Sequence, residues 1–146
     1  MKSILIMSLI LIASLKCDIT SSEIFVMQKE NILGIWHGQV EVPVLYQTGT
    51  YTKRAVTVTI KDRDPARYSL QDTFNIWIQE EIAPNTPVIT HQGYLINLKE
   101  EYEATLQYEF FKEHVGNTSK YDFYATQTAS DSIKVQFSTY EFRVGK

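Results

Sequence analysis

Val56, Val58 and Ile60 alternate with Thr57 and Thr59, and the same two-residue rhythm returns along most of the chain. Successive side chains of a strand point to opposite sides, so this rhythm predicts strands with one buried face. Gly34, Trp36, Gly38, Val40 and Val42 share one face, while Ile35, His37, Gln39 and Glu41 take the other. Ala104, Leu106, Tyr108 and Phe110 alternate with Thr105, Gln107 and Glu109. Tyr121, Phe123 and Ala125 alternate with Asp122, Tyr124 and Thr126. Phe74 to Ile78 follows Tyr68-Ser69-Leu70 as a second short strand or as one bent strand. Val88 to Leu98 reads as a strand in which Gly93 marks a bulge or a close backbone approach.

Turn chemistry separates these runs: Asp62-Arg63-Asp64-Pro65, Ala83-Pro84-Asn85-Thr86-Pro87, His114 to Ser119 and Ala129-Ser130-Asp131. The count comes to about eight strands, with no long helix and no fixed repeat. The expected fold is all-β, a roughly eight-stranded antiparallel up-and-down barrel, because closure removes exposed strand edges. An open sandwich is the alternative. The last strand carries a phase conflict. Ile133, Val135 and Phe137 share a face, and continuing that phase puts Glu141 and Arg143 on it too, although Tyr140, Phe142 and Val144 are the apolar residues. Either a bulge near Ser138 shifts the phase, the strand is buried on both faces, or Arg143 points inward.

The first residues stand apart from this pattern. Lys2 precedes an apolar run from Ile4 to Ile12 broken by Ser8, too short to cross a hydrocarbon layer of about 30 Å as a helix. Residues 1–17 are therefore expected to be a cleaved secretory signal, 18–31 an N-terminal segment or short helix capped by Ser22, and 32–146 a single barrel domain. Removing residues 1–17 takes away Lys2 and Lys16 and no acid, moving the net charge from −3 to −5. An acidic chain argues against nucleic acid as a partner. No second apolar run has the length of a membrane helix. The one cysteine is Cys17, so the mature fold is stabilised by its core and not by disulfides. Asn117-Thr118-Ser119 is an N-glycosylation acceptor sequence in an expected loop.

Gly34-x-Trp36 on a first strand, with Arg143 on the last, resembles the calycin group of lipocalins and fatty-acid-binding proteins. The resemblance implies that Trp36 packs under the basic side chain at one barrel end, as a cation–π pair. Leu33-Gly34-Ile35-Trp36-His37-Gly38 is also similar to the opening of nitrobindin-type haem-binding barrels, and the stretch from Phe74 to Leu95 is similar to their next strands. The chain departs from that family where Ile89 and His91 replace the usual His and Glu before the glycine. The family's haem ligand belongs to a C-terminal strand pair, and here no histidine follows His114. The resemblance thus implies the fold more than the cofactor, and a haem or metal would fall to His91 as a lone axial ligand.

The chemistry-bearing residues form no catalytic constellation. His37, His91 and His114 lack metal-ligand spacing. Asp62 and Asp64 lack the oxygens of a calcium loop and read as a turn. Glu80-Glu81, and Glu100-Glu101 with Glu103, are neighbours on strands, hence on opposite faces, and read as solvated strand ends. There is no Gly-x-Ser-x-Gly elbow. Tyr94 and Tyr108 are expected to line a cavity, with a polar tip for a ligand's head group. The expected function is secreted binding and transport of a small, largely apolar ligand contacting Trp36, Tyr94, Tyr108 and Arg143, without a cofactor. A secreted or lumenal protein-interaction module with a filled core is the alternative. A haem-binding or isomerase-like barrel stands third.

Overall fold

In a computed structural model, residues 29–64, 73–102 and 104–146 are described. The signal sequence, residues 18–28 with their capped helix, and Tyr68-Ser69-Leu70 lie outside them. The described chain begins with a 3-10 turn, Lys29–Ile32, and continues as β1 (Gly34–Pro43), β2 (Tyr51–Asp62), β3 (Phe74–Ala83), β4 (Thr86–Tyr102), β5 (Thr105–His114), β6 (Asn117–Ala129), β7 (Ser132–Phe137) and β8 (Tyr140–Gly145). These eight strands close into a barrel in sequence order, β1 through β8. Every neighbouring pair, including β1 with β8, is antiparallel. The up-and-down barrel expected from the alternation is the fold observed.

The two-residue rhythm decides which side chains fill it. Trp36, Val56, Val58, Ile60, Phe110 and Phe123 belong to one buried cluster on the inner face. The phase conflict in the last strand resolves as a hairpin. Phe137 pairs with Tyr140 across Ser138-Thr139, and Ser138 takes a φ of 51°. Opposed residues of a hairpin share a face, so Val135 with Phe142 and Ile133 with Val144 all point inward. Glu141 and Arg143 consequently point outward.

Two glycines mark where strands crowd together. A Cβ on Gly93 would stand 2.0 Å from the Phe111 carbonyl oxygen, and one on Gly38 would stand 2.1 Å from that of Arg143. Gly93 is thus a close approach, and the bulge lies three strand positions earlier, where the β3–β4 register shifts between Ile78 and Gln79. Thr90 occupies that irregularity, and its hydroxyl donates to the Ile78 carbonyl at 3.2 Å.

Up-and-down order gathers the β1–β2, β3–β4, β5–β6 and β7–β8 turns at one end, the hairpin end. Trp36, the 3-10 turn and Lys146 lie toward the other. The β1–β8 closure is short: His37 pairs with Gly145, Gly38 with Val144 and Gln39 with Arg143. Beyond Gln39, β1 continues to Pro43 beside β2, while β8 begins at Tyr140 beside β7. The two strands part toward the hairpin end and leave a seam.

Candidate ligand site

The end opposite the hairpins is plugged. Trp36 is buried, and its indole Nε1 donates to the Ile32 carbonyl at 2.9 Å, so the 3-10 turn satisfies the buried N–H. The basic side chain over the indole is Lys146, whose Nζ stands 4.5 Å from the ring centroid. Arg143 does not take that place. It lies on the outer face, in register with Gln39 and Lys134, because the β7–β8 turn sets its phase.

Tyr94 is also corrected. It lies on the outer face, stacked on Phe111 at 5.2 Å between centroids, with the Arg63 guanidinium 4.3 Å from its ring. The register shift at Thr90 is the cause, since it moves His91, Gly93 and Leu95 to the inside. Tyr108 does face inward, fully buried, with its ring edge-to-face against Phe74 at 5.7 Å. His37 faces outward, its Nδ1 3.2 Å from the Thr57 hydroxyl.

His91 is the polar side chain that the bulge turns into the barrel. It is 4% exposed and sits across the interior from the β7–β8 hairpin. Its ring meets Phe137 edge-to-face at 5.2 Å and Tyr140 at 4.6 Å. Its Nδ1 is buried without a hydrogen-bond partner. Burial holds its pKa down at about 4, and the charges of Lys112 and His114 add to that, so the imidazole is neutral near pH 7. A haem on this imidazole needs open space beside the ring. Phe137 and Tyr140 pack against that ring, so a haem would fit there only with Tyr140 moved aside. Among the described residues, no group of three or more His, Cys, Asp or Glu side chains is placed to hold a metal ion.

The sequence implies a solvated strand end at Glu80, yet Glu80 is buried near the same end. It continues the inward phase of Phe74, Ile76 and Ile78, opposite Val56 on β2 and Val88 on β4. Glu81 points outward, as neighbours on a strand must, and accepts a hydrogen bond from the Asn85 amide at 2.7 Å.

Outside this interior lie open clefts. One of about 730 Å³ follows the parted β1–β8 seam, lined by residues 39–43 of β1 and by Thr139, Tyr140, Glu141 and Arg143. Tyr140 belongs to both places: it borders the seam and touches the His91 ring. A groove of about 840 Å³ runs between the start of β4 and the β5–β6 hairpin, bordered by Ile89, His114, Val115 and Asn117. Asn117 is exposed there, and its side-chain oxygen accepts from the Thr118 amide at 2.7 Å.

No family model and no curated protein matches the chain. A solved structure of a redesigned β-barrel is similar to it, with 14% identity and a TM-score of 0.44 over 80% of this chain and 90% of that one.

Lowering the pH tests the state of His91. Its folded pKa, about 4, lies below the unfolded value of 6.5. Between these values the unfolded chain takes up a proton that the folded chain refuses, so stability is complete above pH 6.5 and falls toward pH 4. The full loss attributable to His91 is on the order of 3 kcal/mol. Urea melts of the wild type and of His91→Phe across this window should diverge by that slope, which separates it from the carboxylates titrating in both. Parallel curves would mean that the imidazole is not held neutral.

Proposed function

We propose that the chain is a small-molecule-binding protein of calycin type, taking up a largely apolar ligand that carries one polar group. The observation that carries this reading is the unpartnered Nδ1 of His91, buried beside the ring that also borders the β1–β8 seam. A buried polar atom without a partner is costly and calls for an explanation. A ligand hydroxyl or amide donating to that nitrogen supplies one. Apolar pockets with few polar groups are how small-molecule sites combine affinity with orientation. In this reading the seam is the entrance, Tyr140 is the side chain that swings to admit the ligand, and neutral His91 is the acceptor that orients it. Arg143 stands at the outer rim of the seam, and Trp36 keeps the other end shut. The protein acts outside the cell or in the secretory lumen, with residues 1–17 as its cleaved leader.

A second reading rests on the packed interior. Tyr108, Phe110, Phe123, Phe137 and Phe142 are all fully buried, which suits a filled barrel that binds a protein partner through its outside. Native mass spectrometry of protein secreted from a eukaryotic host, after glycan removal, separates the two. The ligand reading expects an additional ligand-sized mass in the wild type that is lost in His91→Phe, with the variant still folded. A clean apo mass, with no change in melting temperature on adding organic extract of the host, would favour the filled barrel.

A further inference from the structure

Among the described residues, the large apolar side chains left in water are not scattered over the barrel. Leu45, Tyr46 and Tyr51 flank the β1–β2 turn, Ile82, Val88 and Ile89 the β3–β4 turn, Val115 tips the β5–β6 turn and Tyr140 follows the β7–β8 turn. All these turns belong to the hairpin end. Tyr46 and Val115 are fully exposed there. Ile35 is the exception, on the outer wall near the start of β1.

Charge follows the same axis. Residues 44–51, 82–90, 114–119 and 138–140 contain no Asp, Glu, Lys or Arg. Acids and bases begin just behind them and interleave: Glu41 with Lys53 at 4.0 Å, then Arg54, Glu81, Lys112, Glu113, Lys120 and Glu141. At the other end the described turns carry Asp62, Arg63, Asp64 and Asp131. The barrel is therefore amphipathic along its own axis.

From this arrangement we infer that the hairpin end docks on the surface of a lipid bilayer. An uncharged rim backed by a belt of mixed charge complements an apolar layer edged by head groups. Tyrosine, with its apolar ring and polar tip, suits that boundary. Exposed apolar groups gathered at one place mark an interaction surface. The rim is made of separate projecting turns with open clefts between them, notably beside Val115 and beside Ile82. A fluid surface moulds itself to such projections, whereas a second rigid copy of the rim would meet them point to point. Because acids and bases balance in the belt, attachment rests on apolar insertion and not on attraction to anionic lipid. The inference stands independently of the ligand reading.

Flotation with neutral phosphatidylcholine vesicles tests it, using chain freed of N-glycan because Asn117 stands on the same rim. The wild type should float with the vesicles, and adding phosphatidylserine should not strengthen the binding. Leu45→Glu and Val115→Glu should each lower the vesicle partition constant by at least about tenfold, the worth of one buried aliphatic side chain. Both positions project from turns, so the variants should keep the wild-type circular dichroism. Ile35→Glu, on the wall, should float like the wild type. Absence of flotation would overturn the inference. So would binding that survives both tip substitutions, which would place the membrane contact elsewhere, including residues 4–15. Association that needs no vesicles and disappears in the tip variants would make the rim a protein interface instead.

Discussion

Gly38→Ala is expected to destabilise the protein by about 3–5 kcal/mol and to open the barrel along β1 and β8. The added methyl would lie 2.1 Å from the Arg143 carbonyl oxygen and 2.9 Å from Val144 Cγ1. The first of these is backbone, so no side-chain rotation relieves the contact. β8 has to move away. Yet Gly38 is the middle residue of the short run, His37 to Gln39, that joins the two strands. Relief therefore breaks the closure that the residue permits. Overpacking costs about 1–3 kcal/mol and each lost backbone hydrogen bond about 0.5–1.5 kcal/mol, which together give the range. Urea denaturation measures the loss. Amide exchange locates it, with protection falling at residues 37–39 and 143–145 while the β5–β6 pairing stays protected. A loss under 1 kcal/mol, or unchanged exchange at the seam, would mean that this strand pair does not close the barrel.

The same pair shows how far sequence reasoning reaches. Alternation alone gave the faces of β1, β2, β5 and β6, because nothing interrupts the two-residue period between Gly34 and Val42, Val56 and Ile60, Leu106 and Phe110, or Phe123 and Ala125. It failed wherever one residue was added to the count or a turn lacked the usual signal. Val88 lies opposite the inward Glu80, so unbroken alternation from Val88 places Thr90, Gln92 and Tyr94 inside. The irregularity at Thr90 reverses that parity, turns Tyr94 to the outer face and buries His91. The direction of Arg143 stayed open in the sequence for a related reason. Ser138-Thr139 has neither Gly nor Asn to announce a tight hairpin, yet Ser138 adopts the left-handed conformation such a turn uses. Glu80 is legible in phase, as the next inward position after Ile78, but a carboxylate near a strand end is ordinarily solvated, so charge and phase point opposite ways there. Lys146 follows the final strand, where no alternation rule applies, and only the closed barrel brings it over Trp36.

Trp36→Ala should cost about 3–5 kcal/mol, the range for emptying a buried large aromatic site. Three contributions are bound up in the plug, and a small series separates them. Trp36→Phe keeps a ring but leaves the Ile32 carbonyl without its 2.9 Å donor, which should cost about 1–2 kcal/mol beyond the lost volume. Lys146→Ala removes the cation 4.5 Å above the ring and, with Lys146 exposed, should cost no more than about 1 kcal/mol. Lys146→Ala made on top of Trp36→Ala should then add almost nothing, because its partner ring is already gone. Arg143→Ala serves as the contrast: it stands on the outer face, so it should leave the melt unchanged. A substantial loss in Arg143→Ala, together with none in Lys146→Ala, would return the basic partner of Trp36 to the position that the calycin resemblance implied. A change under 1 kcal/mol in Trp36→Ala would remove the plug altogether, and the Gly34-to-Gly38 stretch would then matter only for the strand closure that Gly38 permits.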